Sequence, residues 1–158
     1  MTSTALAPSR AGAVTARIAL VGYLLFVGFT VWLPASVSAK VTGLVGVMAT
    51  WVADAGIASY ERSAVVLEVL ANVALFVPVG LLLSFALPRL RLWQVVLTGG
   101  LMSVVIEGVQ GLMPSRVPTL SDVIANTSGT LIGAVLALVM VWLVAGDRPA
   151  AARRRLVS

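Results

Sequence analysis

Six polar side chains interrupt or abut the apolar runs of this chain, Glu68, Asn72, Glu107, Gln110, Asp122 and Asn126, and Arg116 stands in the polar loop between two of those runs. The six form pairs. Glu68 and Asn72 are i,i+4, Glu107 and Gln110 are i,i+3, and Asp122 and Asn126 are i,i+4. On a helix each spacing places both members on one face. Carboxylates and amides on facing helices can bind a polar ligand. Glu107 and Asp122 could also act as general acid and base, with Arg116 stabilising developing negative charge. Other chemistries are closed. The chain has no Cys and no His, so thiolate chemistry, disulfides and the commonest metal ligand are excluded. The sequence shows no metal-ligand spacing and no cofactor motif, and we expect neither metal nor cofactor.

The elements that carry these residues are set by composition. Of 158 residues, 59% are hydrophobic and 11% charged, against about 45–50% and about 25% in soluble domains. So short a chain cannot hide that apolar surface in one aqueous core, and lipid must be part of its solvent. Four apolar runs, about 16–33, 65–87, 92–109 and 123–145, are long enough to span a hydrocarbon core about 30 Å thick. The expected fold is all-α: a four-helix transmembrane bundle at 16–145. A disordered basic tail at 1–15 and a basic cytoplasmic tail at 146–158 flank it. Between the first two spans, Val41, Leu44, Val45, Met48, Trp51 and Val52 recur on one helical face. They suggest a short amphipathic helix in the membrane interface, with packing on the other helices as the alternative. Ala35 to Ala39 also resembles a signal-peptide cleavage site; an uncleaved first span is favoured because Leu33-Pro34 follows a span-length run. Pro78 should kink the second span.

Basic residues set the orientation. With the N-terminus in the cytoplasm, inner segments hold eight arginines (Arg10, Arg17, Arg89, Arg91, Arg148 and Arg153 to Arg155), and outer segments hold Lys40, Arg62 and Arg116. The excess predicts both ends inside. The net charge of +5 is therefore a topology signal, and no nucleic-acid partner is expected. All the polar pairs then fall at the outer ends of their helices, with Arg116 as counter-ion for Glu107 or Asp122. Helix glue is the plainer use of such amides. Gly129 and Gly133 form a GxxxG, which suits close packing within the monomer or, less simply, a homodimer. Trp32, Trp51, Trp93 and Trp142 read as interface anchors.

Two segments carry a family resemblance. Asn72-Val-Ala-Leu-Phe76-Val-Pro78-Val-Gly80 resembles the N-x-x-x-F-x-P-x-G segment of VanZ-like proteins. Glu107-Gly-Val-Gln110, followed by Arg116, Asp122, Asn126, Gly129 and Gly133, resembles their second segment. The resemblance covers roughly residues 65–135. It departs before the fourth span, where many members carry a second acid and this chain has Thr119, Leu120 and Ser121. The resemblance implies a multi-pass protein of the bacterial cell membrane and a link to glycopeptide (teicoplanin-type) resistance. Three functions stay open. The first is a non-enzymatic protein binding a lipid-linked cell-wall precursor or glycopeptide through Asn72, Glu107, Gln110, Arg116, Asp122 and Asn126. The second is a membrane enzyme on a lipid-linked substrate, using Glu107, Asp122 and Arg116. The third is a small transporter or flippase.

Overall fold

The computed structural model describes residues 10–32, 35–112 and 119–146. They form five α-helices: α1 (Arg10–Trp32), α2 (Ala35–Asp54), α3 (Tyr60–Ala86), α4 (Leu92–Gln110) and α5 (Leu120–Gly146). Four of these, α1, α3, α4 and α5, are long and apolar enough to cross a membrane. In lipid every backbone polar group must be satisfied within its own segment, so apolar runs of this length become helices. Side-chain hydroxyls obey the same rule. Ser84, Thr98, Thr127, Ser128 and Thr130 each donate to the carbonyl one turn back, at 2.7–3.0 Å.

Several helix ends differ from expectation. The first begins at Arg10, not 16, because the charge inside it is accommodated: Arg17 Nε donates to the Ala86 carbonyl at 3.1 Å. The third begins at Tyr60, not 65. The last begins at Leu120, which puts Asp122 in its first turn. The interhelical segment forms one 20-residue helix, longer than the expected amphipathic stretch. It ends at Asp54, and its stop falls on Gly56, whose φ of 70° suits glycine. Gly56 N–H donates to Ala53 O and Ile57 N–H to Val52 O, the paired bonds of a left-handed helix stop.

The contacts fix the arrangement. Arg17 meets Ala86, and the Tyr23 hydroxyl donates to the Leu75 carbonyl at 2.7 Å, so α1 and α3 run antiparallel. Leu75 lies beside Ala74, whose carbonyl lost its N–H partner to Pro78. Tyr23 thus supports the backbone just where the proline weakens it. α3 and α5 run parallel and form the most extensive interface, with α4 packed mainly on α5. α2 leaves from the far end of α1, returns to the start of α3 and packs against α3. Both its ends therefore belong to one end of the bundle.

The molecule is apolar on its outside. Ile18, Leu25, Phe29, Leu101, Val105, Leu138 and Trp142 are exposed, as on a surface that faces hydrocarbon. The buried core is small and tightly built, from Val27, Phe76, Val79, Leu83, Val95 and Ala134. Glycines make the α3–α5 seam close. A Cβ at Gly129 or Gly133 would overlap the backbone carbonyls of Val73 and Val77, and one at Gly80 would overlap that of Thr130. Gly99 and Gly100 of α4 also face α5, against Thr130 and Thr127.

Candidate functional site

Helix direction sorts the charges. The start of α3, the end of α4 and the start of α5 share one end of the bundle, and that end holds Asp54, Glu61, Arg62, Glu68, Glu107 and Asp122. The start of α1 and the α3–α4 turn share the other, with Arg10, Arg17, Arg89 and Arg91.

At the acidic end, side chains from three helices meet. Asn72 Nδ2 of α3 donates to Asp122 Oδ1 of α5 at 2.7 Å. Glu107, near the end of α4, is 7% exposed, and its Oε2 accepts the Thr119 amide at 3.0 Å. Thr119 precedes α5 and caps it: the Asp122 amide donates to Thr119 Oγ1 at 3.2 Å. In a Thr-x-x-acid box the acid would reach back to the cap amide. Here that half is supplied by Glu107 from another helix, while Asp122 turns to Asn72. A carboxylate at a helix N-terminus is favoured by the free amides and the dipole, so Glu107 fastens the end of α4 to the start of α5.

One turn deeper the polar line continues. Asn126 Nδ2 donates to Ser103 Oγ at 2.8 Å, and both residues are buried. Thr130, fully buried, returns its hydroxyl to the Asn126 carbonyl. The Asn126 Oδ1 atom is buried without a hydrogen-bond partner. Such an acceptor is expensive to leave unmade, and here it sits on a polar seam that descends from the bundle end.

The structure therefore brings together Asn72, Glu107, Asp122 and Asn126. Gln110 is buried one turn beyond Glu107. Glu68 does not join them: it is exposed on α3. Arg116, the expected counter-ion, lies outside the described residues. Among the described residues, no three His, Cys, Asp or Glu side chains gather as a metal site. Sequence reasoning missed Ser103, Thr119 and Thr130. Each had a signal. Ser103 is i−4 from Glu107 and i+4 from Gly99, Thr130 is i+4 from Asn126, and Thr119 heads a Thr-x-x-Asp capping pattern.

Fold and seam together define a multi-pass helical membrane protein, its polar residues gathered between α3, α4 and α5. Residues 20–142 match the VanZ/LLP1 family, and the chain belongs to that family. No curated protein and no solved structure matches it.

Proposed function

We propose that this VanZ-like protein lies in a bacterial cell membrane with both termini in the cytoplasm and binds a polar, membrane-held ligand at its outward-facing acidic end. The membrane-embedded bundle would comprise α1 and α3 to α5, from Arg10 to Gly146. α2 would lie along the outer interface, which suits a helix whose two ends belong to the same end of the bundle. The ligand class is a lipid-linked cell-wall precursor or a glycopeptide of the teicoplanin type. Such molecules offer hydroxyl and amide donors, and the seam offers acceptors.

The observation that carries this reading is the buried acceptor on Asn126, one turn below the Asn72–Asp122 and Glu107–Thr119 bonds. Asn72, Glu107, Gln110, Asp122 and Asn126 would contact the ligand, with Arg116 above them. The binding reading is preferred to acid–base catalysis because Glu107 already serves the α5 amide, which leaves it poorly placed to exchange protons.

The test expresses the chain in a glycopeptide-sensitive host and measures surface binding of fluorescent teicoplanin. Inserted wild-type protein should change the bound amount, and Asn126→Leu or Asn72→Ala should abolish that change. Unaltered binding with correctly inserted protein would remove the glycopeptide version. Glu107→Gln separates binding from catalysis. An enzyme would lose turnover of an added lipid-linked precursor and still bind it, whereas a binding site would weaken in affinity.

A further inference from the structure

A groove of about 690 Å³ runs between α4 and α5, on the outer side of the bundle. It lies within the range of roughly 300–1,000 Å³ typical of ligand pockets. Its α4 wall is Leu92, Trp93, Val96, Leu97, Leu101 and Val104; Val123 and Leu131 face them from α5. Gly100 opens the floor. The one polar side chain, Thr127, has its hydroxyl committed to the Val123 carbonyl at 2.7 Å. The groove is therefore dry in chemical character, and it opens from two membrane-spanning helices towards hydrocarbon.

Its length and ends select an occupant. From Leu92 to Val104 the helix rises on the order of 18 Å, slightly more than half of a hydrocarbon core about 30 Å thick. That is the depth reached by one acyl chain from one leaflet. The groove starts beside Arg91, the residue before α4, with Arg89 in the same turn. The described carboxylates Asp54, Glu61, Glu68, Glu107 and Asp122 all stand at the opposite end of the bundle. Exposed Trp93 sits at the mouth, where an indole suits the headgroup level.

We infer that the α4–α5 groove holds one acyl chain of an anionic phospholipid whose phosphate is held by Arg91 and Arg89. Guanidinium groups match phosphate geometry, and the groove shields the chain on two sides. Such a lipid would fill the gap beside the α4–α5 contact and hold the two helices that carry Glu107 and Asp122. This site does not depend on the function proposed above, because it stands at the other end of the bundle.

The experiment uses the full chain in phosphatidylcholine nanodiscs doped with phosphatidylglycerol bearing a diazirine in its acyl chain. Adducts are mapped by peptide mass spectrometry. They should concentrate on Leu97, Leu101, Val104 and Leu131, several-fold above exposed Leu25 and Leu138. The paired substitution Arg89→Gln with Arg91→Gln should lower them to the level given by a diazirine phosphatidylcholine. Leu97→Trp should fill the groove and remove them with either lipid. Leu97 is exposed, so this variant should fold; Val104→Trp provides a second filling variant. Adducts spread evenly over lipid-facing residues would overturn the proposal. So would equal labelling by both lipids, or a Leu101→Cys disulfide between two copies showing that a second chain covers the groove. Fluorescent teicoplanin binding measured on the arginine variants should be unchanged, so the two proposals fail separately.

Discussion

Gly129→Ala is the sharpest test of how the site is held together. The added Cβ would lie 3.0 Å from the Val73 carbonyl carbon and 3.0 Å from Phe76 Cβ, and it would overlap the Val73 carbonyl oxygen. Non-bonded carbons prefer about 3.5–4.0 Å. The obstacle is helix backbone, which cannot rotate away as a side chain would, so α3 and α5 must part by roughly 1 Å. Overpacking of this kind destabilises by about 1–3 kcal/mol. The same displacement stretches the neighbouring Asn72–Asp122 bond, now 2.7 Å, beyond hydrogen-bond length, a loss of roughly 0.6–2 kcal/mol in a membrane. Together these give about 1.6–5 kcal/mol, or about fifteenfold to a few thousandfold in the folding equilibrium. Thermal or SDS-induced unfolding in mild detergent, followed by tryptophan fluorescence, would read it. Gly22→Ala is the matched control, since nothing lies within 4 Å of a Cβ there; it should be neutral or slightly stabilising because alanine favours helix. If Gly129→Ala unfolds within about 0.5 kcal/mol of Gly22→Ala, the close α3–α5 seam is wrong.

Four further outcomes are expected. Asn126→Ala should destabilise by about 1–3 kcal/mol by stripping Ser103 of its partner, whereas Asn126→Leu with Ser103→Ala should be near neutral, because an orphaned acceptor leaves with the amide; the same unfolding assay compares them. Tyr23→Phe should cost about 0.5–1.5 kcal/mol and speed amide hydrogen exchange around Pro78, the signature of a loosened helix beside the proline. Glu107→Ala should fray the start of α5, giving faster exchange at Thr119 to Asp122 and about 1–2 kcal/mol of destabilisation from the lost charged cap. The native absence of cysteine makes single-cysteine topology mapping direct. A membrane-impermeant maleimide should label Ile57→Cys but not Pro88→Cys in intact cells, and the reverse pattern would invert the proposed orientation.

Much of this structure was legible in the sequence, for identifiable reasons. Apolar runs above span length leave lipid as the only adequate solvent, so the four long helices followed from composition. The gathering of Asn72, Asp122 and Glu107 followed from helical spacing and from the expense of burying such groups alone. Helix ends were harder to place. The N-terminus of α1 depends on Arg17 reaching a carbonyl 69 positions away, a contact invisible to local pattern. Glu68 misled because i,i+4 spacing shows that two residues share a broad face, but not which edge of that face is covered. Ser103 went unnoticed because a serine in an apolar helix ordinarily bonds its own backbone. Only the arrival of Asn126 from α5 gives it an interhelical partner.

The parallel pairing of α3 with α5 has a consequence for biogenesis. These two helices are separated in the chain by α4, and α5 is the last of the described helices to emerge from the ribosome. Until it arrives, nascent α3 and α4 lack Asp122, Asn126 and Thr130, the α5 residues that meet Asn72, Ser103 and Gly80. The half-made protein thus presents an amide and a hydroxyl without their α5 partners, a mark that insertion machinery or a membrane protease can sense. Completion of α5 both builds the recess and erases that mark.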